Sequence, residues 1–195
     1  MIVSARGLER RFGEKHALRG VDLELGERDL LVVTGANGSG KSTLLALLAG
    51  LLAPTRGELD VSVERGAIGF LAHEPLVYRE LTAHENLELY GRLYRVPERR
   101  ERIGMLLERY GLWEARHERV SAYSRGMAQR LALCRTLLHD PALLLLDEPF
   151  SALDEAGAAI LDEELASLAG ERALVLATHE PGRLIALATL ELALA

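Results

Sequence analysis

The sequence predicts an α/β fold built on a mostly parallel sheet, and three apolar runs carry that prediction. The first, Leu30-Leu31-Val32-Val33, leads into Gly35-Ala36-Asn37-Gly38-Ser39-Gly40-Lys41-Ser42-Thr43 and then into the helix-like Leu44-Leu45-Ala46-Leu47-Leu48-Ala49. The second, Ala142-Leu143-Leu144-Leu145-Leu146, ends in two carboxylates, Asp147-Glu148. The third covers residues 173–177 and ends in Thr178-His179-Glu180. Short apolar runs without alternation read as strands buried on both faces, the pattern of parallel sheets. Ligands in such sheets bind beyond the C-terminal ends of the strands.

A strand, a glycine-rich turn and a helix start form the setting of a phosphate-binding loop. Glycines let the backbone curl until successive N–H groups point at one anion. The helix beginning near Lys41 adds unpaired N–H groups and the positive end of its dipole. Lys41 brings a full charge to the β- and γ-phosphates, and Ser42 a hydroxyl for Mg²⁺. The chain has only two lysines, Lys15 and Lys41, among 23 basic residues.

The remaining elements follow in chain order. Residues 2–8 and 17–25 read as strands, the second with Val21-Asp22-Leu23-Glu24-Leu25 alternating apolar and acidic, so one face is wet. Residues 10–15 read as a turn whose one aromatic, Phe12, either stacks on a flat base or plugs a sheet edge. Gly50 and Pro54 stop the loop helix. Strands are expected at 58–63 and 68–71, and helices at 83–94 and 97–110. Thr82 and Glu85 have the spacing of a capping box. The Arg- and Glu-rich second helix reads as a solvated face. Another helix opens within 121–130, where Ser124 is either an N-cap or part of an anion site. An amphipathic helix is expected at 156–168 and an edge-like strand at 187–194. Asp147 is placed to hold Mg²⁺ through water, and Glu148 to take a proton from attacking water.

Composition narrows the function classes. A length of 195 residues suits one domain with a substantial core. A net charge of −6 argues against a nucleic-acid-coating protein. The lone Cys134 permits no internal disulfide and suits a reducing compartment. No stretch reaches the ~18 uncharged apolar residues of a membrane span. The first residues, Met1-Ile2-Val3-Ser4-Ala5-Arg6, lack the layout of a signal peptide.

Taken together, these residues resemble the ATP-binding-cassette (ABC) ATPases over essentially the whole chain. Residues 35–43 resemble their Walker A loop and residues 143–148 their Walker B strand, with Glu148 as the catalytic acid. Ser151-Ala152-Leu153-Asp154 is similar to their D-loop, His179 to their switch histidine and Phe12 to their adenine-stacking aromatic. Residues 123–127 stand in the place of the Leu-Ser-Gly-Gly-Gln signature. They keep Ser124 and Gly126 but carry Arg125 and Met127 in place of the first glycine and the glutamine. His73 stands where the family has a glutamine that couples nucleotide to the membrane partner. A neutral imidazole there accepts a hydrogen bond or binds a metal.

The resemblance implies an ABC-ATPase fold with a mostly parallel central sheet, an antiparallel β subdomain and a helical signature subdomain. One nucleotide-binding domain is expected over 1–195, with a core at 1–72 and 140–195 and a helical part at about 73–139. ATP and Mg²⁺ are the expected cofactors. ATP is held by Phe12 and by residues 35–43, and the metal by Ser42 and Asp147, with His73 a further candidate. Ser124, Arg125, Gly126 and Asp154 are expected to act on the ATP of an opposite subunit, in a homodimer or heterodimer of cassettes. Transmembrane permease subunits are the expected partners, through residues 73–120. The protein is then cytoplasmic, peripheral on the inner face of the cell membrane, and binds no nucleic acid. Residues 81–87 and 147–154, with His73, further resemble the haem exporter ATPase of cytochrome c maturation. Rival expectations are a soluble ABC ATPase of iron–sulfur assembly or translation, and an ATP-binding regulator that barely hydrolyses.

Overall fold

A computed structural model describes residues 1–194. The first elements are β1 (Val3–Phe12), β2 (Lys15–Leu25), β3 (Leu30–Gly35), α1 (Lys41–Leu48), β4 (Arg56–Val61) and β5 (Ile68–Leu71). Three helices follow, α2 (Ala83–Leu93), α3 (Arg99–Arg109) and α4 (Arg125–Leu137). The chain then runs through β6 (Leu143–Asp147), α5 (Glu155–Leu168), β7 (Ala173–Ala177) and β8 (Leu190–Leu194). Strands β5-β6-β7-β3-β8 form a parallel sheet in that order, and β2-β1-β4 a smaller antiparallel one. The expected α/β architecture is therefore present.

The apolar runs are buried on both faces for the reason their composition gives. Along the parallel sheet Leu30, Val32, Leu144, Leu146, Leu174 and Leu176 pack into one core with the helices that follow β5. The alternate residues Leu31, Val33, Leu143, Leu145, Val175 and Ala177 pack into a second core with α1 and the antiparallel sheet. Side chains of a strand alternate between faces, so a strand covered on both sides has no polar position to offer.

Caps lie where the sequence marks them. Glu85 N–H donates to Thr82 Oγ1 at 3.1 Å and Thr82 N–H to Glu85 Oε2 at 2.8 Å, closing the capping box. Ser124 caps α4 by accepting from Met127 N–H at 3.2 Å. Asp154 caps α5 by accepting from Gly157 N–H at 2.9 Å.

Three expectations are corrected. Residues 10–12 belong to β1 and not to a turn. The hairpin closes on Gly13-Glu14, with Phe12 paired to Lys15 and Gly13 at φ 58°. No alternation marked the end of β1, because residues 9–12 are all partly or well exposed. The last strand begins at Leu190, since Leu187 and Ala188 bond back to Leu184 in turns. Helix α3 is more than a solvated face. Its Arg99 binds Glu88 of α2, Arg102 donates to the Leu137 carbonyl at 3.1 Å, and Arg109 pairs with Glu164 at 2.9 Å.

The Glu88 contact has a pH signature. Hydrogen bonds from Arg99, with further help from Arg92, hold its carboxyl down at about 2, below its ordinary 4.5. Its stabilisation is fully present above pH 4.5 and is lost as pH falls through about 2. In urea denaturation the stability difference between the parent and Glu88→Gln is expected to shrink across that window.

Candidate functional site

The order of the parallel sheet brings four loops to one edge. β5, β6, β7 and β3 lie side by side, and their C-terminal ends deliver His73, Asp147-Glu148, His179 and the glycine loop respectively. A cleft of about 370 Å³ opens there. Its floor includes Asn37, Gly38, Gly40, Lys41, Ser42 and Thr43, with Asp147, Glu148 and His73 along one side. Phe12, Lys15 and Ala17 of the antiparallel hairpin make the opposite wall.

The glycine loop has the curled geometry its composition allows. Gly38 and Gly40 have φ of 85° and 101°, backbone that side chains with a Cβ resist. A Cβ on Gly40 would also strike the Ala17 carbonyl oxygen. The first bond into α1 runs from Leu44 N–H to the Gly40 carbonyl at 2.8 Å. Ser39 N–H is taken by the Ala36 carbonyl at 3.1 Å, so the amides of residues 41–43 at the start of α1 are the ones that remain available to an anion.

Charge is concentrated and partly locked. Lys41 is only 6% exposed and donates to the carbonyls of Gly35 at 2.8 Å and Ala36 at 3.3 Å. Its Nζ lies 3.7 Å from Glu148 Oε1. The other oxygen of Glu148 is 3.0 Å from His179 Nδ1. Glu148 itself sits at φ 48°, held by its N–H bond to the Ala177 carbonyl at 2.9 Å. A left-handed non-glycine residue costs on the order of 1–3 kcal/mol and is tolerated where the surroundings over-determine it.

Asp147 is 2% exposed. Burial raises its carboxyl above the usual aspartate range, opposed by a hydrogen bond from Ser42 and by the charges of His73 and Lys41. Its Oδ1 is buried without a hydrogen-bond partner. A buried orphan carboxylate oxygen beside a serine hydroxyl is the donor set that a hard divalent cation takes. Ser42 and Asp147 thus fit Mg²⁺.

Other predicted site residues have plain positions. Phe12 is 47% exposed with the Arg10 guanidinium 4.6 Å above its ring, so it does not plug the core. Ser39 lies within the loop, its Oγ buried and unpaired. Ser124 and Arg125 are exposed at the start of α4, away from the residues that line this cleft. A Cβ on Gly126 would sit 3.1 Å from the Ala152 carbonyl, so that helix start packs on the loop before α5. Asp154 faces its own helix as a cap.

Lys15 was missed as a cleft residue, although a signal existed: both lysines of this arginine-rich chain line the cleft. Gln129 was missed too. It is buried and donates to the Pro149 carbonyl at 3.3 Å, fixing the turn after Glu148.

Residues 18–151 match the family described as ABC transporter, and that span exceeds half of the chain. The chain belongs to the ABC transporter family. It is 39% identical over 184 residues to the ABC transporter ATP-binding protein YxlF of Bacillus subtilis, covering 91% of this chain and 62% of the relative. It is 39% identical over 189 residues to the daunorubicin resistance ATP-binding protein DrrA3 of Streptomyces coeruleorubidus, covering 91% of this chain and 60% of that one. The chain thus spans about 60% of the length of these curated relatives. Among solved structures, the post-hydrolysis dimer of the ATP-binding cassette MJ0796 with ADP and phosphate superposes with a TM-score of 0.87. That match is 28% identical and covers 98% of this chain and 94% of MJ0796. The ABC family and the cassette fold agree with the expectations above.

Proposed function

We propose that the chain is the ATP-binding and ATP-hydrolysing subunit of an ABC transporter, driving a separate transmembrane partner. The observation that carries this is the convergence of the glycine loop, Lys41, Asp147 and Glu148 on one cleft, with His179 bonded to Glu148 at its side. MJ0796, a cassette captured as a dimer with ADP and phosphate, supports it by similarity.

Each residue then has a task. Phe12 stacks on adenine. The amides of residues 35–43 and the Lys41 ammonium hold the phosphates. Ser42 and Asp147 would hold Mg²⁺, with His73 a further candidate ligand in the same cleft, and the ion would supply charge neutralisation to the transferred phosphoryl group. Glu148 accepts a proton as water oxygen bonds to the γ-phosphorus and the bond to the bridging oxygen of ADP breaks. His179, already bonded to Glu148, orients that carboxylate and contacts the γ-phosphate. Ser124, Arg125, Gly126 and Asp154 serve the ATP of an opposing cassette, identical or not. The exposure of Ser124, Arg125 and Asp154 at the starts of α4 and α5, outside their own cleft, supports a role in trans.

The core at 1–72 and 140–195 binds nucleotide, and the segment 73–120 of the helical part meets the partner. In its favour, Leu76, Tyr78, Leu93 and Tyr94 expose large apolar surfaces there. No helix of the described residues is long and apolar enough to cross a membrane. In this reading the partner supplies the spanning segments, with this chain peripheral on the inner face.

A pull-down from detergent-solubilised host membranes tests the coupling. A multi-spanning partner supports it, and a purely soluble set of partners overturns it in favour of iron–sulfur or translation-type action. The narrower reading, haem export for cytochrome c maturation, rests on His73 and residues 81–87 and 147–154. A relative named for daunorubicin resistance lends haem no support. A haem spectrum in the same pull-down decides it. Within the cleft, Phe12→Ala is expected to weaken ATP binding by about 1–3 kcal/mol, the worth of one base–aromatic stack. Thermal stability should stay near the parent's, because the ring is exposed. Fluorescence titration with an ATP analogue measures the first effect and a melting curve the second.

A further inference from the structure

His73 is the one imidazole that lines the cleft, and it is exposed there. The sheet puts it there. β5 pairs in register with β6, Leu71 opposite Leu146, so the residues that follow each strand emerge together. His73, Ser42 and Asp147 line the same cleft. The Oδ1 atom of Asp147 is buried without a partner, and Ser42 bonds to the same side chain. Among the described residues no three His, Cys, Asp or Glu side chains gather to hold a metal by themselves. An ion here therefore completes its coordination with phosphate oxygens and arrives with the nucleotide.

We infer that His73 makes this a mixed oxygen–nitrogen site, selecting ATP that carries a first-row transition cation over ATP that carries Mg²⁺. The inference rests on the nucleotide reading of the cleft. Mg²⁺ takes oxygen donors in a near-octahedral shell and gives up water reluctantly. Imidazole suits first-row transition ions such as Co²⁺, Ni²⁺ and Zn²⁺. A nitrogen donor beside Ser42 and Asp147 rewards those ions and leaves Mg²⁺ with one poor ligand or a retained water. His73 is thus a specificity-determining residue for the metal–nucleotide substrate, while Lys41 and the loop amides hold the phosphates whichever ion is bound.

Mn²⁺ with the methylene-bridged ATP analogue is the probe, because Mn²⁺ is visible by pulsed electron paramagnetic resonance and the bridge carries no nitrogen. The parent protein is expected to show ¹⁴N modulation on Mn²⁺ that becomes ¹⁵N modulation when its histidines are labelled. His73→Gln is expected to lose it. In competition, the concentration of Mg²⁺ needed to displace bound Co²⁺ should fall about tenfold or more in His73→Gln. Mn²⁺·nucleotide binding with no histidine nitrogen in the parent, or unchanged spectra and competition in the variant, overturns the inference and leaves the nucleotide site standing. A parent protein that binds no Mn²⁺·nucleotide overturns both.

Discussion

Glu148→Gln is expected to lower ATP turnover by about 10²–10⁴-fold, the usual worth of a positioned general base, while ATP binding persists. The physical reason lies in the two contacts of the carboxylate. One oxygen is 3.0 Å from His179 Nδ1 and the other 3.7 Å from Lys41 Nζ, so the group is held at the mouth of the phosphate loop. Glutamine keeps the size and one acceptor oxygen but has no basic lone pair to receive the proton of water. It also removes a negative charge that faces the phosphates, so ATP affinity is expected to hold or rise. The bound ATP then persists, and a closed pair of cassettes accumulates. Single-turnover hydrolysis and size-exclusion chromatography with ATP check the two halves. Hydrolysis at the parent rate removes Glu148 from the general-base role.

Lys41→Ala is expected to fail earlier, at binding. A full charge about 4 Å from a phosphate oxygen is worth roughly 4 kcal/mol at an effective dielectric of 20, near 10³ in affinity. The measured loss should be smaller, about 10²-fold or more, because Lys41 must leave the Gly35 and Ala36 carbonyls and Glu148 to reach the nucleotide. Calorimetric titration with ATP reads this directly, and unchanged affinity overturns the phosphate-loop role. The two variants separate the tasks: Lys41→Ala loses turnover because it loses ATP, and Glu148→Gln loses turnover with ATP in place.

Much of this site is legible in the chain because its parts are local. A phosphate loop must be continuous backbone, so residues 35–43 carry their own signal, and φ of 85° and 101° confirm why glycine stands at 38 and 40. Caps are local in the same way, as Thr82 with Glu85, Ser124 with Met127 and Asp154 with Gly157 illustrate. Buried strands announce themselves by lacking polar positions, and β6 and β7 are buried at every residue. The end of β1 was silent because residues 9–11 are half-buried and Phe12 is exposed, so no fully buried face sets an alternation there. For the same reason Phe12 was ambiguous until its 47% exposure placed it on the cleft wall.

By itself the sequence determined the glycine loop, the strand-end acids, the helix caps and the α/β class, since each follows from residues within one turn or one strand of each other. The tertiary structure alone decided that His73, Asp147, Glu148 and Lys41 share one cleft with Lys15 and Phe12 at its wall, and that His179 reaches it through Glu148. That meeting depends on β5, β6, β7 and β3 lying in that order. Strand neighbours are chosen by hydrogen-bond ladders and two-sided packing between segments far apart in the chain, and periodicity along one segment carries no record of its partner.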